Sequence, residues 1–267
     1  MTLIPAIAFE KNRVAIAGDR LLTSEAGPME IEKIIQLGKF AVGGISGVPR
    51  LIHQTTGQPQ FDAYQILKHV LGDGDVDADT MMMFAGVMTD EFTKYQQKYK
   101  ANFKKPYSKM LVTLFSLDED VIKNAVITFN LSNDETLSMA GAQAPKLEAC
   151  EDSRLRAIGD FELILELRHG KDPRFDDLRE RDDVKKLLDK KQRPAFGTVS
   201  EAEAADFCRM MIDLTNERWS LLSKNDCPVG PARDIAAIDP DGFRWIEHPP
   251  LEAPAAALGN DTGKPRD

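Results

Sequence analysis

Thr2, Asp19, Lys33 and Gly47 lie within the first 47 residues and could do chemistry together. The chain opens Met1-Thr2, and removal of Met1 would leave a threonine with a free amine. A threonine hydroxyl is a weak nucleophile unless a base stands beside it, and its own α-amine can be that base. An aspartate and a lysine arriving from neighbouring strands would set the charge around it. Ile31, Lys33 and Ile35 alternate, so a strand would point Lys33 where apolar residues point. A lysine on that face needs a partner, and Asp19 is the natural one. Cys208 and Cys227 are weaker candidates. Neither has a histidine nearby in sequence, and His53, His69, His169 and His248 form no motif, so both read as buried, inert thiols. No Gly-rich phosphate loop and no metal-ligand cluster is present.

The elements that must position these residues follow from pattern. Residues 6–9 and 13–19 read as a hairpin turning at Lys11-Asn12, since asparagine tolerates the left-handed conformation. Residues 23–28 read as a loop. Residues 32–37 and 39–45 read as a second hairpin around Gly38, with Gly43, Gly44 and Gly47 ending it where backbone must bend or approach closely. Residues 49–71 look helical with breaks at Gly57 and Pro59, and a second helix starts from an Asp79 cap and runs to about residue 99. Its Met81-Met82-Met83-Phe84 start is apolar all round, which predicts burial. Strands are expected over 109–117, 121–131, 137–141 and 155–158, with a helix over 161–167. Residues 170–197 are highly charged and read as an exposed insertion, with a short amphipathic piece at 184–188. Ser200-Glu201-Ala202-Glu203 is a capping-box start for a long helix to about residue 219. Strands at 234–238 and 243–247 close the pattern, and 248–267 reads as a disordered tail. The periodicity supports an α+β class.

The chain has 267 residues, 42% of them apolar, and no Gly/Ser- or Pro-rich linker divides it, so one domain over 1–247 is expected. A formal charge of −9 argues against nucleic acid or an anionic membrane as partner. The 3 cysteines, Cys150, Cys208 and Cys227, lack metal-like spacing and read as reduced thiols in a cytoplasmic compartment. No signal-peptide pattern and no apolar run of membrane-spanning length is present.

Ala15-Ile16-Ala17-Gly18-Asp19, Ile31-Glu32-Lys33-Ile34-Ile35 and Gly43-Gly44-Ile45-Ser46-Gly47 together resemble the start of a proteasome β-type subunit, bacterial proteasome-like proteins included, of the N-terminal-nucleophile hydrolase superfamily. The match covers residues 2–47 and returns at 154–168 and 200–247. Thr2 to Asp19 is one residue longer than usual, and the loop before Lys33 about two residues shorter. The resemblance implies a four-layer α-β-β-α sandwich and a threonine peptidase. Thr2 would be the nucleophile, Asp19 would hold Lys33, and Lys33 would lower the pKa of the amine and hydroxyl. The Gly47 amide would donate to the oxyanion. Ile31, Ile35 and Ile45 would line an apolar pocket for the residue before the scissile bond. No cofactor is implied. The implied partners are copies of itself in a ring or helical array, peptide or unfolded-protein substrate, and an ATPase unfoldase.

Two departures bear on activity. Ala157-Ile158-Gly159-Asp160-Phe161 resembles the family's Gly-Ser-Gly turn, with Asp160 in place of the serine that bonds the threonine amine. Asp226-Cys227-Pro228-Val229-Gly230-Pro231 resembles Asp-x-x-Ser-Gly-Gly, with Asp226 kept and Val229 in place of the serine, while Pro231 removes one backbone donor. Two readings therefore stay open beside the peptidase: a catalytically inactive proteasome-like structural subunit, and an amidohydrolase acting on a small amide.

Overall fold

The computed structural model describes residues 2–9, 12–24, 27–47, 50–52, 59–71, 107–130, 148–149, 155–159, 176–182, 184–185, 199–222 and 229–251, with scattered positions between 80 and 94. The strands are β1 (Leu3–Phe9), β2 (Arg13–Asp19), β3 (Leu21–Ser24), β4 (Gly27–Glu30), β5 (Ile34–Gly38), β6 (Ala41–Ser46), β7 (Arg50–Ile52), β8 (Pro59–Asp62), β9 (Tyr107–Ser116), β10 (Val121–Asn130), β11 (Glu148–Ala149), β12 (Leu155–Gly159), β13 (Arg233–Asp239) and β14 (Gly242–Glu247). The described helices include α1 (Ala63–Leu71), α2 (Asp176–Glu180) and α3 (Glu201–Leu222). Strands and helices are mixed, and every strand pair in the described residues is antiparallel, so the chain is α+β.

β1 is buried at all seven positions because both of its faces are covered. Leu3, Ile7 and Phe9 share one core with Ala204, Cys208, Met211 and Ile212 of α3. Ile4, Ala6 and Ala8, on the alternate face, share a second core with Ile34, Val42, Leu111, Phe115 and Ile122. The first core joins α3 to the sheet β12-β1-β2-β13-β14, and the second joins that sheet to β11-β10-β9-β6-β5. β1 and β2 therefore sit at mid-depth, between a helix and a second sheet.

α3 begins with a capping box. The Ser200 amide donates to Glu203 Oε2 at 2.9 Å and the Glu203 amide to Ser200 Oγ at 3.4 Å. Asp62 caps α1, accepting from the amides of Tyr64 and Gln65 at 3.0 and 3.3 Å.

Several expectations need correction. Lys33 is not inside a strand: β5 starts at Ile34, so Ile31, Lys33 and Ile35 do not form one strand face. The turn of that hairpin falls at Lys39-Phe40 rather than at Gly38. The 23–28 loop is in fact built on a small hairpin, β3 against β4. Residues 50–52 and 59–62 pair as strands where the sequence predicts a broken helix, since Pro59 suits a strand start better than a helix interior. Met83 is 58% exposed although Phe84 beside it is fully buried, so that stretch is not apolar-covered all round. The 170–197 segment is not wholly exposed: Val184 is fully buried, and Arg181 Nη1 donates to Glu217 Oε2 on α3 at 2.8 Å. The expected strand at 137–141 and helix at 161–167, Met81 and Met82, and residues 252–267 of the tail lie outside the described residues. Among the described residues, no helix is long and apolar enough to cross a membrane.

Candidate active site

Three of the candidate residues come together at one end of β1 and β2. Thr2 immediately precedes β1, and β1 pairs with β2 so that Ala6 faces Ile16 and Phe9 faces Arg13. β2 ends at Asp19, level with the start of β1, and the Leu3 amide donates to Asp19 Oδ1 at 3.0 Å. Lys33 arrives from the segment between β4 and β5. Its carbonyl accepts from the Ile45 amide at 3.1 Å, which ties it to β6.

The Lys33 side chain spends its donors on three oxygens. Nζ donates to Thr2 Oγ1 at 2.8 Å, to Asp19 Oδ2 at 2.8 Å and to the Leu21 carbonyl. An ammonium has three protons, so this set saturates it and fixes its position. The site is buried: Thr2 is 4% exposed, Lys33 1% and Asp19 0%. Asp19 Oδ2 also accepts from the Leu21 amide at 3.2 Å and from the Gly230 amide at a long 3.5 Å.

Burial and pairing pull against each other here. Desolvation lowers the Lys33 pKa from its ordinary value, while the Asp19 charge and hydrogen bond push it back up. Desolvation raises the Asp19 carboxyl, opposed by Lys33 and by the amides of Leu3 and Gly230. Both groups are thus shifted toward their neutral forms, and each is the main influence holding the other charged. The ammonium near Thr2 Oγ1 can stabilise negative charge as it develops on that oxygen.

Gly47 follows β6 with φ 120, a left-handed conformation that suits glycine. Its neighbour Ser46 reaches the same corner as Thr2. A Cβ on Gly159, whose φ is 92, would overlap the Thr2 carbonyl oxygen and lie 3.0 Å from Ser46 Oγ. Gly159 pairs with Leu3 across β12 and β1, so the close approach follows from the register. Asp160 and Asp226 lie outside the described residues. Val229 is fully buried among the α3 core residues, and its side chain brings no hydroxyl to this position. Ile45 and Ile31 are buried and Ile35 is half-buried.

Several contributors carried no sequence signal. The main chain of Leu3 and Leu21 supplies Asp19 and Lys33 with partners, and main-chain groups have no residue signature. Arg20, next to Asp19, is fully buried against Asp234 and His248. Asp234 is 214 residues away, and only the pairing of β13 with β2 brings it there. Among the described residues, no group of three or more His, Cys, Asp or Glu is arranged to hold a metal ion. Compared with protein-family models and with curated protein sequences, the chain matches none.

Proposed function

We propose that this chain is a threonine-type N-terminal-nucleophile peptidase, working after Met1 is removed. The observation that carries the reading is the buried Lys33 ammonium within 2.8 Å of both Thr2 Oγ1 and Asp19 Oδ2. In this mechanism the freed Thr2 amine takes the hydroxyl proton, and Oγ1 attacks the peptide carbonyl carbon. Lys33 stabilises the charge on Oγ1, and the Gly47 amide receives the oxyanion. Collapse breaks the C–N bond, the leaving amine takes the proton, and water then hydrolyses the Thr2 ester. Asp19 positions Lys33. Asp160 would accept a hydrogen bond from the Thr2 amine, and Asp226 would border the same site. Ile31, Ile35 and Ile45 would form the wall facing an apolar substrate side chain. The reaction calls on no cofactor.

The fold that fits this reading is a single four-layer α-β-β-α domain over 1–247. The two cores on either side of β1 support three of its layers: α3, the first sheet and the second sheet. Self-assembly into a ring or helical array, feeding by an ATPase unfoldase and a cytoplasmic site of action belong to the same proposal.

Val229 favours a second reading, a non-catalytic subunit that keeps the fold. It is fully buried, and in sequence it takes the place of the serine that the resemblance would supply. Intact mass with and without a peptide epoxyketone separates the two. The peptidase predicts loss of the Met1 mass and a single adduct that Thr2→Ala abolishes. Retained Met1 without an adduct would sink the peptidase and leave the structural subunit.

A further inference from the structure

Alongside the Lys33 site runs a second polar circuit. Arg20 Nε donates to Asp234 Oδ1 at 3.0 Å, and Nη2 bonds the same oxygen. Both side chains are fully buried. His248 Nδ1 lies 2.8 Å from Asp234 Oδ1 and 3.2 Å from Arg20 Nη2. A carboxylate oxygen only accepts, so the shorter contact assigns the Nδ1 proton to Asp234 Oδ1, and the Arg20 Nη2 approach is then a contact between two donors rather than a hydrogen bond. His248 Nε2 then faces Glu32 Oε1 at 3.5 Å. The imidazole is stacked on Trp245, with ring centroids 4.1 Å apart and planes 12° from parallel.

The order of the residues gives the circuit its meaning. Arg20 follows Asp19, and Glu32 precedes Lys33. In the imidazolium form, which carries a proton on each ring nitrogen, His248 bridges the neighbours of the two paired site residues by donating to Asp234 and to Glu32. The main chain of Arg20 is clamped as well. Its amide donates to the Ala232 carbonyl at 2.9 Å, and its carbonyl accepts from the Ile31 amide at 2.8 Å. Asp19 and Leu21, on either side of Arg20, are both acceptors for Lys33. A shift of Arg20 moves two of the three oxygens that hold the ammonium.

Stability alone does not account for this pair. A buried ion pair often stabilises no better than apolar residues of the same volume. Among the described residues, Arg20 Nη1 and Asp234 Oδ2 are buried without a hydrogen-bond partner, which adds to the cost. We propose that Arg20, Asp234, His248 and Glu32 act as positioning residues that set the Lys33 ammonium against Thr2, with His248 as the link contributed by the segment after β14. The inference rests on the peptidase reading for its consequence, but not for its geometry.

The test uses the full chain with Arg20→Met/Asp234→Asn, which removes both charges at similar volume, and separately His248→Ala. Two readouts are taken. NMR titration of the Lys33 ε-methylene follows the ammonium whether or not Thr2 reacts. The concentration dependence of Thr2 acylation by a peptide epoxyketone separates the maximal rate from the half-saturating concentration. Positioning predicts folded variants whose Lys33 midpoint differs from wild type by half a pH unit or more. It also predicts a maximal acylation rate down tenfold or more in the double variant, with half-saturation within twofold. Wild-type Lys33 titration in a folded double variant would overturn the proposal. If the double variant does not fold, His248→Ala decides alone: an unmoved Lys33 midpoint overturns the circuit, and a moved one supports it. A wild-type protein that is never acylated would refute the peptidase reading, while the Lys33 titration would still judge the positioning.

Discussion

Replacing Lys33 by methionine isolates the electrostatics of the site. Methionine fills the lysine stem and removes the ammonium, so packing is nearly kept. Asp19 is then left fully buried without its counter-ion. Breaking a buried pair from one side costs about 3–5 kcal/mol. The amides of Leu3 and Leu21 still donate to the carboxylate at 3.0 and 3.2 Å, so we expect the lower end, about 3 kcal/mol. For a chain of this size that corresponds to a melting temperature lowered by about 6–12 °C. The pH dependence has a definite sign. Desolvation already raises the Asp19 pKa above 3.8, and Lys33 supplies the two largest opposing influences. Without them the folded-state value rises further. A raised carboxyl favours the fold in its protonated form, a contribution present below the unfolded value and lost as pH rises through the folded one. The deficit of Lys33→Met relative to wild type should therefore be smallest near pH 4 and grow toward pH 7. Urea unfolding with an unchanged m-value measures it. Asp19→Asn combined with Lys33→Met should cost less than Lys33→Met alone. A variant within 1 kcal/mol of wild type at pH 7, or a deficit that grows on acidification, would refute the reasoning.

Other consequences are equally open to measurement. The Asp19 charge raises the Lys33 pKa, so Asp19→Asn should lower it further and move the alkaline limb of Thr2 acylation to lower pH; a limb that moves up or stays put contradicts the assigned coupling. Burial pushes the Cys208 thiol up to about 12, so an aromatic disulfide reagent at pH 8 should label it only as the protein unfolds, whereas labelling of the native state would contradict its place under α3. Gly159→Ala should destabilise by at least about 2 kcal/mol, because the residue has φ 92 and the added Cβ overlaps the Thr2 carbonyl. Near-wild-type unfolding of that variant would mean that Thr2 does not sit against β12.

What could be read in the sequence was the local part. β1 and β2 show as apolar runs around an Asn-containing turn, and α3 announces its start with Ser200 and Glu203. Thr2, Asp19 and Lys33 were found through spacing and order, and they do meet. Alternation marks Lys33 as buried and paired with Asp19, as it is, but Lys33 lies before β5 rather than on its inner face. β7 and β8 escape a reading of pattern because strands of 3 and 4 residues carry too few alternations to outweigh helical spacing. His248 was assigned to a tail with few anchors. Its anchors are Asp234 and Trp245, one in an adjacent strand and one three residues back, and no local pattern marks such a stack.

Asp19 and Arg20 are consecutive, both fully buried, and each holds a different ion pair. A core that only had to be stable would not place two charged pairs side by side at the end of β2, where Ala15 and Ala17 show that small apolar residues fit the same strand. The pairs also point to different partners: Lys33 toward Thr2 Oγ1, Arg20 toward β13 and the segment beyond β14. One arrangement aims an ammonium at a hydroxyl, and the other holds the peptide units that carry the aim. Such a division suits a site where a charge must be fixed before a bond is made or broken. The tripod also stands without any side-chain hydroxyl from position 229. The Lys33 tripod is built from Asp19, Leu21 and Thr2, and none of those bonds passes through Val229.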